Sequence, residues 1–179
     1  TKDLADAYDR AGDQIRKNAT LLSNAEAVEI EKEAKGDVAP ITSDRTGFYN
    51  RKLYLKPGER VENRGNNQPL NHKLIRLGEV YLNYAEACAK TNAEDEARIY
   101  LKKIRERAGL PEIQSTGDQL FEDIINERRL ELGLEGFRFF DIVRVGWASK
   151  TFKNFKAGAE VLPIPQTEVD ISKGEITNK

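Results

Sequence analysis

Four carboxylates recur among arginines in residues 127–144, and paired carboxylates are a common source of acid–base chemistry. Glycosidases need two carboxyl groups at a defined separation, one of them acting as a general acid. The candidate pairs are Glu127 with Glu131 and Glu135 with Asp141. Each has an arginine within three or four residues, which would lower its pKa, whereas a general acid needs a raised pKa. We therefore expect no catalytic residue here, and a carboxylate-based glycoside hydrolase is the least favoured function.

A buried structural role suits these charges better, because Phe137, Phe139 and Phe140 are interleaved with them. Spacings of three and four residues put opposite charges on one helix face. We expect part of the set to form ion pairs desolvated at a helix–helix interface, where loss of one partner costs roughly 3–5 kcal/mol. The alternative is an exposed helix whose surface pairs contribute little to stability.

Apolar periodicity predicts four helices that must position these charges. They are expected from Leu74 to about Lys90, between Asn92 and Gly109, from near Asp118 to Gly136, and from there to about Trp147. The apolar faces of the first three are expected to carry Leu74, Leu77, Tyr81, Tyr84, Ala85 and Cys88; then Ala97, Tyr100, Leu101, Ile104 and Ala108; then Leu120, Phe121, Ile124, Ile125 and Leu132. Residues 115–118 are the expected capping region of the third helix.

We expect a single all-α domain over residues 1–179, built from antiparallel helical hairpins. Its parts are a helical lead-in over 1–36, a long loop with a short strand-like segment over 37–69, a four-helix core over 70–148 and an irregular, extended C-terminal strap over 149–179. In the lead-in, Gly12 ends a short first helix, and a second helical stretch continues to about Lys35. The residues expected to share a face of that stretch are Leu21, Leu22, Ala25, Val28 and Lys32. The strap is expected to be extended because Leu162 and Ile164 each precede a proline.

The long loop carries side chains of the kind that bind sugars, which stack on aromatic rings and hydrogen-bond to amides and guanidiniums. These residues are Phe48, Tyr49, Tyr54, Arg64, Asn66, Asn67 and Gln68. Aromatic residues in a loop also serve to anchor it to the helices beneath. We favour the second interpretation for Phe48 and Tyr54, and assign no ligand-binding residue from the sequence.

Composition excludes several functional classes. The chain has 29 Lys plus Arg against 30 Asp plus Glu, without a basic stripe, which argues against a nucleic-acid binder. One cysteine, Cys88, and one histidine, His72, argue against a disulfide framework and a zinc site. We interpret Cys88 as a core residue and His72 as a capping or surface residue. No glycine-rich phosphate loop occurs and no cofactor is expected; Gly109, Gly117, Gly133 and Gly136 are interpreted as helix punctuation.

Four motifs in order resemble the C-terminal part of the SusD/RagB family of outer-membrane nutrient-binding lipoproteins. They lie at residues 75–87, 105–111, 127–144 and 162–165. Tyr8, followed by Asp13 and Arg16, resembles another segment of that family. The resemblance is dense from about residue 47 to residue 168.

The resemblance implies hairpins of tetratricopeptide type and a non-catalytic receptor on the cell surface. Such a receptor captures glycans or other nutrients and delivers them to a SusC-like TonB-dependent transporter in the outer membrane. The lipid anchor of the family would lie outside this chain, which the resemblance suggests is a piece of a longer protein. Glycan contacts vary between members, so no binding residue carries over. The motif residues carried over as scaffold are Glu127, Arg128, Glu131, Glu135, Arg138, Asp141 and Arg144.

Two departures from the family pattern occur: Val145 stands where tryptophan is common, with Trp147 displaced, and the usual terminal Asn-Pro-Gly is only begun, at Asn178. A soluble tetratricopeptide-like module for protein–protein interaction is the alternative function that the sequence leaves open.

Overall fold

The computed structural model describes residues 2–36, 46–61, 68–156, 158–161 and 163–177. Its helices are α1 (Lys2–Ala11), α2 (Gln14–Thr20), α3 (Asn24–Lys35), α4 (Leu77–Lys90), α5 (Glu94–Arg107), α6 (Gly117–Glu131), α7 (Arg138–Arg144), α8 (Ala148–Thr151) and α9 (Gln166–Ile171). Strands β1 (Leu21–Ser23) and β2 (Phe48–Asn50) form a small antiparallel sheet, and single 3-10 turns occupy Arg51–Leu53 and Pro57–Glu59. The all-α prediction is confirmed. No helix in the described ranges is both long and apolar enough to span a bilayer.

Helices α4 and α5 form an antiparallel hairpin, and α6 packs against both of them. The hairpin turns at Asn92, whose φ of 61° is left-handed, and α5 ends before Gly109, whose φ is 68°. Their shared core is the side-chain cluster of Leu82, Ala85, Cys88, Ala97, Leu101, Ile104, Leu120, Ile124 and Leu132. The predicted faces of α5 and α6 are therefore confirmed, because most of their members are in this cluster.

The first turn of α6 is capped from a neighbouring helix. The backbone N–H of Gly117 donates to the Glu94 carboxylate at 2.8 Å, while the Ser115 hydroxyl donates to Asp123 at 2.6 Å. Thr116, the residue at the N-cap, makes no side-chain cap. The predicted position of the capping region is correct, but the carboxylate that caps the helix comes from α5.

The prediction for α4 is wrong at its start and for part of its face. The helix begins at Leu77 rather than Leu74, and both residues are exposed, by 61% and 79%. Tyr84 is also exposed, whereas Leu82 is fully buried. Ala85 and Cys88 of the predicted face are buried, and they pack with Leu82 against α5 and α6. The rest of that face, at Leu77 and Tyr84, remains exposed to solvent.

The lead-in starts as predicted with α1, which buries Leu4, Ala7 and Tyr8. The second helical stretch is not continuous, because residues 21–23 pair as β1 with β2. Leu21 and Leu22 are buried in that strand. The predicted shared face is wrong beyond the strand: α3 buries Ala27, while Ala25 is exposed. The strand-like segment predicted in the long loop is confirmed as β2, at its first three residues.

The structure divides into two compact units, one ending at Arg138 and the other beginning at Phe139. In the second unit, Phe139 stacks on Phe152 with ring centroids 5.9 Å apart. Helix α7 ends at Arg144, before the predicted end at Trp147, and α8 follows. The predicted irregular strap contains a further helix, α9, which begins directly after Pro165 and was missed. Leu162 lies outside the described residues, and the single-domain assignment remains a prediction.

Candidate functional site

Glu127 and Glu131 lie one turn apart near the C-terminal end of α6, where the helix is buried on most sides. Their side chains are each 1% exposed. Glu127 pairs with Arg16 at 2.6 Å and with Arg105 at 2.7 Å, so a carboxylate withdrawn from water is held between two guanidiniums. The partners come from α2 and α5, and the pairs join three helices at one point.

Glu131 is surrounded by three arginines. Arg76 and Arg107 each lie 2.5 Å from its carboxylate, and Arg16 lies at 3.2 Å. Burial alone would raise the pKa of Glu131, but the hydrogen bond and charge of Arg76 and the charges of Arg107 and Arg16 hold it below its ordinary value. Glu131 is therefore a fixed anion that organises cations from α2, α5 and the segment before α4.

The lead-in contributes Arg16 through a local arrangement that its sequence explains. The Asp13 carboxylate caps α2 by accepting from the backbone N–H of Arg16 at 3.0 Å, and it also accepts from Arg16 Nε at 2.5 Å. The Tyr8 hydroxyl donates to the carbonyl of Leu130 at 2.6 Å, and burial raises the pKa of Tyr8. The segment from Tyr8 to Arg16 is thus tied directly to the end of α6.

Glu135 follows α6 and pairs with two further cations. Lys52 Nζ lies 2.5 Å from its Oε1, and Arg76 Nε lies 2.7 Å from its Oε2. Lys52 also donates to the carbonyls of Glu131 and Gly133, at 3.1 and 2.9 Å, which satisfies acceptors left open where the helix ends. Burial would raise the pKa of Glu135, but hydrogen bonds from Arg76 and Lys52 lower it.

The prediction of desolvated ion pairs at a helix–helix interface is therefore confirmed, whereas the expected partners are largely wrong. Spacing suggests pairing with arginines three or four residues away, and Asp141 with Arg144 at 2.8 Å is such a pair. Glu127, Glu131 and Glu135 instead pair with cations from outside the motif. Arg128 donates to the amide oxygen of Asn83 at 2.5 Å, and Arg129 pairs with Asp3.

Two glycines permit the close packing of this network. A Cβ on Gly78 would lie 2.6 Å from Arg76 Nη1 and 2.7 Å from Glu131 Oε1. A Cβ on Gly133 would lie 2.8 Å from the Tyr8 hydroxyl. Interpreting Gly133 as punctuation alone was therefore incomplete, because its missing side chain also makes room for α1. No signal in the sequence distinguishes these glycines from those that only end helices.

The network does not have the electrostatics of an acid catalyst, because the pKa values of Glu131 and Glu135 are lowered. Among the described residues, no three or more His, Cys, Asp and Glu side chains are grouped to hold a metal ion. His72 is exposed and Cys88 is buried, as expected of a surface and a core residue. The arrangement can fix segments that are distant in sequence with respect to one another.

Three of the four loop candidates for sugar binding that the structure describes make contacts that hold the loop. Phe48 packs on the cluster formed by α1 and Leu130. The Tyr54 hydroxyl donates to Glu31 at 2.9 Å, and Gln68 bonds to the backbone of Val61. Tyr49 lies in β2 and is half-buried. The remaining candidates, Arg64, Asn66 and Asn67, lie outside the described residues.

Comparison with known proteins identifies the family to which this chain belongs. The sequence profile of the SusD family, SusD_RagB, matches residues 14–163, which is most of the chain. The chain belongs to the SusD/RagB family. A SusD-like protein of Bacteroides ovatus is 31% identical over 155 residues, covering 79% of this chain and 26% of the relative. SusD-like protein P2 of Formosa agariphila is 34% identical over 126 residues, covering 60% of this chain and 25% of the relative.

Two solved SusD-like structures match nearly the whole chain. Surface glycan-binding protein A from Bacteroides thetaiotaomicron, solved in complex with laminarihexaose, aligns with a TM-score of 0.78 and 28% identity over 96% of this chain and 39% of its own. A laminarin-binding SusD-like protein aligns with a TM-score of 0.74 and 32% identity over 99% of this chain and 37% of its own. The chain thus spans about a quarter of the curated relatives and under two-fifths of these structures.

Proposed function

We propose that this chain belongs to a non-catalytic, glycan-binding component of an outer-membrane nutrient-uptake system. In this proposal the protein is exposed at the cell surface and delivers its ligand to a SusC-like TonB-dependent transporter. The observation that carries the proposal is the match of 96% of the chain to a surface glycan-binding protein solved with laminarihexaose. Laminarin-type oligosaccharides are therefore the first ligands to test.

The electrostatics of the buried carboxylates support a binding rather than a catalytic role. Glu131 and Glu135 are each held ionised by at least two cations, so neither can donate a proton to a leaving group near neutral pH. Their arrangement instead rigidifies the scaffold, and a rigid scaffold suits a receptor whose ligand contacts lie on loops.

The proposal is tested by titrating the protein with laminarihexaose and laminarin in a calorimeter, with maltohexaose as the control oligosaccharide. We expect saturable binding of the laminarin-type ligands, with no release of smaller sugars on prolonged incubation. Hydrolysis that disappears in Glu131→Gln while the fold survives would contradict the non-catalytic assignment. Absence of binding to every glycan tried would remove the glycan part of the proposal.

Localisation is tested separately on the native protein recovered from its source. A diacylated N-terminal cysteine on the intact polypeptide, together with co-purification of a TonB-dependent transporter, is the expected result. An unlipidated protein confined to the soluble fraction would refute the surface assignment.

A tetratricopeptide-like interaction module is the second candidate, and one observation favours it. Leu77, Val80 and Tyr84 form a stripe along α4 and are exposed by 61%, 46% and 46%. Apolar stripes on the outside of a helix often mark protein contacts. A protein partner that stays bound to the soluble native protein and is lost on Val80→Asp would favour this alternative.

A further inference from the structure

Helix α6 covers one side of the hairpin formed by α4 and α5. Asn83 of α4 accepts from an arginine of α6 at 2.5 Å, and Arg98 of α5 donates to the Ser115 carbonyl just before α6 at 3.1 Å. Residues two positions apart in a helix lie on nearly opposite sides of it. Tyr81 and Tyr100 are each two positions from one of these contacts, so they lie on the side of the hairpin away from α6.

The side of the hairpin away from α6 is apolar. Leu77, Val80 and Tyr84 of α4 are exposed by 61%, 46% and 46%. The Tyr100 ring of α5 extends this surface, with its centroid 5.3 Å from that of Tyr81 and 4.6 Å from that of Tyr84. We call these five residues the outer face of the hairpin. A continuous surface of three tyrosine rings and two aliphatic side chains is typical of a contact between protein segments.

The composition of the outer face is that of an internal hairpin in a helical array. In such arrays, each hairpin buries its apolar surfaces by stacking on its neighbours. The hairpin at the end of an array has a polar outer side, because no neighbour covers it. The outer face is apolar, so the hairpin of α4 and α5 has the character of a repeat with a neighbour on each side. Helix α6 occupies one side, and a further pair of helices would complete the other.

We propose that the outer face is the docking surface for a further antiparallel helix pair of the same polypeptide, supplied by sequence beyond residues 1–179. The length of the matched proteins supports this occupant. The two solved structures align with 96% and 99% of this chain, but only 39% and 37% of their own length lies in the match. The curated relatives are covered to 26% and 25%. Proteins with this fold therefore carry enough additional chain to supply the helix pair.

The proposal also determines where substitutions in the outer face have an effect. The covering helices lie beyond residues 1–179, so a polar substitution at Leu77 or Val80 should be nearly neutral in this chain by itself. In the intact polypeptide the same substitution would place a polar group in a packed interface and lower the Tm.

The test measures how fast a water-soluble maleimide labels single cysteines introduced into the intact, full-length polypeptide. Val80→Cys and Tyr84→Cys report on the outer face. Ile99→Cys is the matched control, because Ile99 is exposed by 48% and lies two positions from each of the buried residues Ala97 and Leu101, on the opposite side of α5. We expect both outer-face cysteines to react about a hundredfold more slowly than the control. Val80→Asp should also lower the Tm of the intact protein, whereas Ile99→Asp should not.

Each other outcome would overturn the proposal. Equal labelling rates would show that the outer face is open in the intact protein, and an intact mass near 20.2 kDa would leave no chain to supply the helices. Protection that is lost on dilution would assign the outer face to a second copy of the protein. Protection seen only in a complex would assign it to an independent protein partner. The native Cys88 is buried, and mass spectrometry assigns each label to its site. Glycan binding enters none of these measurements, so the proposed function is tested separately.

Discussion

Replacing Glu131 by Gln tests whether the buried network stabilises the fold. The substitution keeps the shape of the side chain but removes the charge that three arginines share. The Glu131 side chain is 1% exposed, so water cannot substitute for the lost carboxylate without opening the helix packing. We expect the free energy of unfolding to fall because cations brought together by this anion lose part of their compensation.

The size of the effect follows from what each arginine retains. Breaking a buried pair typically costs roughly 3–5 kcal/mol. Arg16 keeps Glu127 and Asp13, Arg76 keeps Glu135, and Arg107 is 61% exposed and can be hydrated. We therefore expect a loss near the lower end, about 3 kcal/mol, which corresponds to a fall in Tm of roughly 6–12 °C for a chain of this size.

Urea unfolding followed by circular dichroism at pH 7 measures this loss, with Asp95→Asn as the control. Asp95 is 97% exposed in its ion pair with Arg98, and its removal should change the free energy of unfolding by less than about 1 kcal/mol. Equal stabilities of Glu131→Gln and the control would refute the reasoning, because they would place Glu131 in effective contact with water.

Three further predictions concern the ion-pair network and the exposed face of α4. Gly78→Ala should destabilise the fold by roughly 1–3 kcal/mol although alanine favours helices. Its Cβ would lie within 2.7 Å of the charged ends of Arg76 and Glu131, and their ion pairs prevent those ends from moving aside without loss. A thermal melt with unchanged Tm would contradict this. The pKa values of Glu131 and Glu135 are lowered from 4.5 in the folded state. The stability that these two carboxylates contribute to the fold should therefore be complete above about pH 4.5 and be lost as the pH falls through their lower, folded-state pKa values. Equal urea midpoints at pH 6 and pH 3 would argue against this. Leu77→Ser should change the free energy of unfolding by less than about 0.5 kcal/mol, because Leu77 is 61% exposed. A larger loss, measured by urea titration, would show that this face of α4 is buried.

Helix positions were predictable where local chemistry decides them. The core of α5 and α6 follows from apolar periodicity, and the end of α5 follows from Gly109, whose left-handed φ of 68° suits glycine. The break before α3 was not predictable in this way. Residues 21–23 have good helix propensity, yet they pair with β2, which lies more than twenty residues further along the chain. A strand of three residues is fixed by its partner rather than by its own sequence.

The candidate site was also only partly predictable from the sequence. The interleaving of phenylalanines with charges indicated burial, and Glu127 and Glu131 are buried, but Phe139 and Phe140 are themselves 41% and 66% exposed, so the phenylalanines do not account for that burial. Their cations were not predictable from spacing, because Arg16 lies 115 residues from Glu131 and Arg76 lies 55 residues away. Side-chain periodicity reports which face of a helix is inside, but carries no information about what that face meets.

By itself, the sequence determined that the chain is helical and that its motifs resemble those of SusD-like proteins, and it indicated that part of the charged set in residues 127–144 is buried. Only the tertiary structure decided which cations neutralise those charges, which side of α4 is buried and that Glu135 pairs with both Lys52 and Arg76. The physical reason is the distance along the chain over which each effect acts. Propensity and periodicity act over a few residues, whereas a buried carboxylate takes whichever guanidinium the packing of distant helices brings within hydrogen-bond distance.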